Sequence, residues 1–182
     1  ESTTGSDSAA STEAASTGET ANNALKIAIV SSPSGVDDGS FNEDNYNGIQ
    51  NFIKENPDCT VVNIACGLDT RFYRMDNGRI TWYNIDLPET IQVRDAIYGE
   101  SGRVSTIGIS ALDPAWAEKV TRRGKMLFVI EGLTMYLTTE ENRKMLSIIR
   151  DNFDNATVFL ECISKRWVNK EHTEKSIQKT GA

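Results

Sequence analysis

Histidine occurs once and cysteine three times in this 182-residue chain. With His172 alone in a polar segment, neither a histidine-based metal centre nor a histidine-driven nucleophilic triad can be assembled. Cys59, Cys66 and Cys162 are too few and too far apart for a zinc site or a disulfide framework, so they read as buried or idle thiols of a reduced, intracellular protein. Basic charge is also short. Against 26 Asp and Glu stand 19 Lys and Arg, for a net charge of −7. That balance argues against a nucleic-acid partner. The densest basic spot, "TRRGK" from Thr121 to Lys125, reads as a solvated helix end. No apolar run approaches the roughly 20 residues of a membrane span. An initiating Met and a signal peptide are both missing, the pattern of a mature, trimmed or partial chain.

Residues 1–23 contain no large apolar side chain and read as a disordered Ser/Thr/Ala-rich tail, either a solvated stalk or a boundary remnant. From Leu25 the pattern changes. "LKIAIVSS" predicts a buried strand, and Ser40 with Glu43 forms a capping box for a helix over 41–55 with a stripe of Tyr46, Ile49, Phe52 and Ile53. Further strands are predicted in "CTVVNIAC", at 80–87, at 104–110, at 125–133 and at 156–163. Between them, Pro88 opens a helix to about Tyr98, and Asp113 with Pro114 starts one that Gly124 closes. Thr138 and Glu141 cap a third, with a stripe of Met145, Leu146, Ile148, Ile149 and Phe153. The tail from Ser164 is polar and weakly helical. Alternating strands and helices with nearly continuous apolar strands predict an α/β fold: a Rossmann-like, mostly parallel sheet with helices on both faces.

In such sheets ligands sit beyond the carboxyl ends of the strands, where strand order reverses. The residues just past the strands are the small turn Ala65, Cys66 and Gly67, then Asp86, Asp113 and Glu131. A carboxylate at the end of the second strand of this unit, Asp86, can accept hydrogen bonds from both hydroxyls of a ribose. Asp113 either caps its own helix or contacts an adenine amino group. Glu131 ends an apolar strand and needs a partner, which an ammonium or sulfonium could supply. A dinucleotide fingerprint would read G-x-G-x-x-G. Here the turn reads "ACGLDT", with Asp69 where a pyrophosphate would be repelled. A phosphate-free, positively charged nucleoside suits that electrostatics, and S-adenosylmethionine is such a molecule.

"VVNIACGLDTRFYRMDNGRITWYNIDLPETI", "ISALDPAW" and "LFVIEGLTMYLTTEE" together resemble the leucine carboxyl methyltransferase family, whose members are class I S-adenosylmethionine-dependent O-methyltransferases. The resemblance covers residues 59–182. It implies a cofactor lying against Ala65, Cys66 and Gly67, with Asp86 on the ribose, Leu112 and Asp113 facing the adenine, and Glu131 near the methionine end. Ala65 departs from the glycine usual in the family. The implied substrate is a small-molecule or peptide carboxylate, already ionised at neutral pH, so in-line transfer needs no general base. Arg71 and Tyr73 are the polar residues available to orient it, although Arg71 can equally pair with Asp69. Tyr136 either lines the acceptor pocket or packs its helix. No metal is implied.

The first 58 residues differ. "LKIAIVSSPSGVDDGSFNEDNYNGIQNFIKENPD" resembles the start of a basic-membrane-protein-type lipoprotein that binds nucleosides for uptake, in which Phe41 would stack on a base. In this chain Phe41 reads rather as a packing residue. The expectation is a chimera: a tail over 1–23, a βα unit over 24–58, and a partial methyltransferase domain over 59–182 that stops before the family's last strands. The methyltransferase segment implies a cytoplasmic location, the lipoprotein-like one an exported protein. The added strand at Leu25 is expected at an exposed sheet edge beside 156–163, since the places next to strand 60–66 are taken.

Overall fold

The computed structural model describes residues 25–30 and 43–162. The expectations for the 1–23 tail, Ser40, Phe41, His172 and the segment from Ser164 lie outside the described residues. Six strands, β1 (Lys26–Val30), β2 (Thr60–Ile64), β3 (Thr81–Asp86), β4 (Val104–Gly108), β5 (Met126–Ile130) and β6 (Thr157–Glu161), form one sheet in the order β1-β6-β5-β2-β3-β4. Every pairing is parallel. The added strand β1 lies at the edge against β6, the place the crowded centre of the sheet left for it, but it is not the buried strand its apolar run predicts, since Ile27 and Ile29 are exposed there.

Helices α1 (Glu43–Glu55), α2 (Arg71–Met75), α3 (Pro88–Tyr98), α4 (Ala115–Glu118) and α5 (Thr139–Asn152) cover the sheet. Strand residues alternate between the faces. Val62, Ile64, Phe128 and Ile130 point into a core closed by Trp116 of α4 and by Met145, Ile148 and Ile149 of α5, with Phe153 stacked on Trp116. Val61, Trp82, Leu127 and Val129 point the other way, against Ile49 and Ile53 of α1 and Phe72 and Met75 of α2. Both faces of β2 and β5 are therefore buried, which is why these strands read as unbroken apolar runs. The capping box on α5 is present: Glu141 N–H donates to Thr138 Oγ1 at 3.2 Å, and Thr138 N–H to Glu141 Oε2 at 2.8 Å.

One helix is shorter than its pattern. The segment after Asp113 forms only the four residues of α4, and Gly124 closes no helix. Gly124 instead sits just ahead of β5 with φ +62°, where a Cβ would lie 2.5 Å from the Asp58 carbonyl oxygen. The close approach of that loop to the start of β2 explains the glycine.

Candidate functional site

The chain passes outward from β2 to β3 and β4, then returns to place β5 on the other side of β2. Strand order reverses between β2 and β5, so a crevice is expected beyond their carboxyl ends. Register fills that place with a graded set of residues. On one face Val61 pairs with Trp82 and Leu127, and two positions on Asn63 pairs with Asn84 and Val129. Two positions further stand Ala65, Asp86 and Glu131. Along β3 the face thus runs from apolar to amide to acid as it approaches the rim, and β5 adds a second acid there.

The bend after β2 is held from several sides. Ala65 (φ 56°) and Gly67 (φ 48°) both adopt the left-handed conformation. Cys66 N–H donates to the Ile85 carbonyl at 3.1 Å, and Asp69 N–H closes a turn onto the Cys66 carbonyl at 3.0 Å. Asp86 reaches back to the bend: its Oδ2 accepts from Gly67 N–H at 2.8 Å, and its Oδ1 from Leu87 N–H at 2.7 Å. A Cβ placed on Gly67 would meet nothing within 4 Å, so the space over the bend is open. Cys66 itself is buried, and burial pushes its thiol up to about 12, which excludes it as a nucleophile at neutral pH.

Asp69, Arg71 and Glu131 form one cluster. Arg71 donates its backbone N–H to Asp69 Oδ1 at 2.9 Å and its Nε to Asp69 Oδ2 at 2.6 Å, while its Nη1 pairs with Glu131. Burial would lower the Arg71 pKa, but the charges of Glu131 and Asp69 outweigh it and hold the guanidinium firmly protonated. Sequence reasoning sought a partner for Glu131 in a bound cation; the protein provides one of its own in Arg71. Both alternatives for Arg71 narrow accordingly, since its guanidinium bridges two carboxylates. With Asp86, the rim carries three acids and one base.

Tyr73 is half exposed and donates its hydroxyl to Glu100 Oε1 at 3.2 Å. Leu112 and Asp113 stand on the loop after β4 and are held locally. Leu112 N–H donates to Ser110 Oγ at 3.2 Å, and Asp113, one residue ahead of the N-cap Pro114 rather than at the cap itself, accepts at Oδ1 from Ala115 N–H at 2.9 Å. Tyr136 ends a short 3-10 turn (Thr134–Tyr136) after β5 and is 40% exposed. Ala65, Cys66, Gly67, Asp86, Arg71 and Glu131 are thus gathered at the rim between β2, β3 and β5, whereas Leu112, Asp113 and Tyr136 make hydrogen bonds within their own loops, and Leu112 also packs against the core. Among the described residues no group of His, Cys, Asp and Glu is placed to hold a metal ion. No helix among them is long and apolar enough to cross a membrane.

Four residues behind the rim were missed from sequence. Arg94 and Glu100 form a fully buried ion pair, with Nε and Nη2 on the two carboxylate oxygens at 2.8 and 2.5 Å. Asn84 donates to Glu100 at 3.1 Å and accepts from Trp82 Nε1 at 2.9 Å, and Asn63 donates to Asp69 Oδ2 at 2.9 Å. The signal lay in the strands themselves, where each asparagine interrupts an apolar run immediately before an isoleucine, Ile64 or Ile85.

A parallel sheet with acids and a left-handed bend at its reversal point defines an α/β protein of the nucleoside- or nucleotide-binding class. Within that class the chain belongs to the leucine carboxyl methyltransferase family, whose sequence model matches residues 47–150. The match begins inside α1, ahead of residue 59, where the recognised motifs start. The chain is 33% identical over 113 residues to the tetracenomycin polyketide synthesis O-methyltransferase TcmP of Streptomyces glaucescens, an alignment covering 62% of this chain and 42% of that protein. It is 30% identical over 119 residues to the S-adenosyl-L-methionine-dependent methyltransferase dpfgK of Gibberella zeae, covering 60% and 40%. The chain therefore spans about two fifths of the length of these curated relatives. In fold it is similar to the N-methyltransferase NodS of Bradyrhizobium japonicum, with a TM-score of 0.50 and 13% identity over 80% of this chain and 83% of that one.

Proposed function

We propose that this chain forms the cofactor-binding part of an S-adenosylmethionine-dependent O-methyltransferase, cytoplasmic, whose acceptor is a carboxylate on a small molecule or peptide. The observation that carries the reading is the Asp86 carboxylate standing 2.8 Å from the Gly67 N–H, across the mouth of the bend. In that position it keeps lone pairs for the two ribose hydroxyls while the open space above Gly67 admits the sugar. The excess of acid at the rim suits a cationic ligand. Ala65, Cys66 and Gly67 supply the backbone surface, Leu112 and Asp113 the adenine side, and Glu131 the methionine end, where its carboxylate is shared with Arg71.

When bound, S-adenosylmethionine supplies a methyl group made electrophilic by its sulfonium. The chain's own contribution is orientation, holding the acceptor oxygen in line and near contact. Arg71, Tyr73 and Tyr136 are the residues assigned to the acceptor. A carboxylate acceptor fits a rim with no histidine or activated thiol among the described residues, because it arrives deprotonated. The chain is read as a βα unit over 24–58 joined to a partial methyltransferase domain over 59–182, with β1 as an added edge strand.

Calorimetry tests the reading. S-adenosylhomocysteine is expected to bind the chain and to lose about 100-fold in affinity in Asp86→Ala, the order expected when a charged acceptor loses two hydroxyl partners. Wild-type chain that ignores S-adenosylhomocysteine but binds guanosine, with that binding lost in Phe41→Ala, would replace the reading by nucleoside capture.

A further inference from the structure

We infer that Arg94 is a positioning residue for ribose recognition: locked by Glu100 and donating to the Gly67 carbonyl, it fixes the bend that aims Asp86. The inference rests on the methyltransferase reading and adds to it a residue that touches no ligand. The geometry is specific. Arg94 Nη1 donates to Gly67 O at 3.0 Å, while Gly67 N–H donates to Asp86 Oδ2 at 2.8 Å. The carbonyl and the amide of one residue are therefore gripped from two elements, α3 and β3. Gly67 needs such restraint, because a glycine in the left-handed region has many alternatives of similar energy.

Arg94 is itself immobilised. Its side chain and that of Glu100 have no exposure, and its guanidinium lies 5.1 Å from the centre of the Tyr98 ring. Glu100 is fixed in turn by Asn84 Nδ2 at 3.1 Å and by the Tyr73 hydroxyl at 3.2 Å. Tyr98 adds a second grip on the bend through its hydroxyl, which donates to the Leu68 carbonyl at 3.0 Å. A buried ion pair is weak evidence for stability, since well-packed apolar residues often do as well. This one spends a third donor on the bend, and a planar fork reaches a carboxylate and a carbonyl together where an ammonium on a flexible stem does not.

The test compares S-adenosylhomocysteine with its 2′-deoxy analogue by calorimetry, on the wild-type chain and on Arg94→Lys. A general loss of structure weakens both ligands alike, whereas a misaimed Asp86 removes the preference between them. The wild type is expected to prefer the ribose compound by about tenfold or more, from a charged hydrogen bond. In Arg94→Lys, which keeps a cation against Glu100, that preference is expected to fall to within about threefold. A folded Arg94→Lys that keeps the full preference overturns the inference and leaves the methyltransferase reading intact. Wild-type chain that binds neither compound defeats the reading, and the inference with it. Should Arg94→Lys not fold, hydrogen exchange on the ligand-free wild type decides: the Gly67 amide is expected to be protected like those of β2, and free exchange there overturns the inference.

Discussion

Ala65 holds φ 56° at the entrance to the bend, a conformation in which its methyl crowds the neighbouring carbonyl and which a glycine adopts without that clash. The strain is about 1–2 kcal/mol for a residue with a Cβ, offset in part by the greater freedom glycine has when unfolded. Ala65→Gly is therefore expected to stabilise the protein by about 1 kcal/mol in urea titration, a net sign opposite to that of most glycine substitutions. The neighbouring Cys66 gives a second check. Burial raises its thiol to about 12 and that of Cys59 to about 11, so neither forms much thiolate at neutral pH. An aromatic disulfide reagent is expected to leave both untouched in the native protein and to titrate them once guanidinium unfolds it. Rapid native reaction at Cys66 would mean that the bend opens.

Between elements, a close backbone approach occurs at Gly124, where the turn before β5 meets the Asp58 carbonyl just ahead of β2. A side chain there combines a left-handed φ with a clash against backbone that cannot swing aside. Gly124→Ala is expected to cost about 3 kcal/mol, read as a lower urea midpoint with an unchanged slope. From sequence this glycine had looked like a helix terminator, because a Gly after an apolar-periodic segment signals both. Elements whose stability is local were legible: α3 behind Pro88, α5 behind its Thr138–Glu141 box, and the strands as apolar runs. The edge position of β1 followed from crowding at the centre of the sheet. The bend and the place of Asp86 beside it were legible too, since both lie at strand ends. The polar group behind them was not. Arg94 is a charged residue on the buried stripe of α3 with Ile91, where a charge is not expected, Glu100 follows the helix in a loop, and only the register of Asn63 with Asn84 brings their partners together. Likewise the five-residue α2 is too short to show a period, and it is held by tertiary contacts of Phe72 and Met75 rather than by propensity.

At the scale of the whole molecule, the same buried pair is expected to contribute to the response to acid. Burial alone would raise the Glu100 carboxyl, but hydrogen bonding and charge from Arg94, with hydrogen bonds from Asn84 and Tyr73, hold it below its ordinary 4.5. The folded state thus favours the carboxylate more than the unfolded chain does. Its contribution to stability is complete above 4.5 and is lost as the pH falls through the lower, folded value. Exposed pairs such as Asp58 with Arg79 add little to this, because solvent screens them. Replacing the acid by an amide separates the two effects. Glu100→Gln leaves a buried guanidinium without its counter-charge, which costs about 3–5 kcal/mol when one partner of such a pair is removed. It also removes the titrating group. The variant is expected to start from a lower urea midpoint at pH 7 and to lose less on acidification below 4.5 than the wild type does. Parallel acid curves for the two proteins would show that Glu100 does not link folding to pH, and that the fall must come from carboxylates elsewhere.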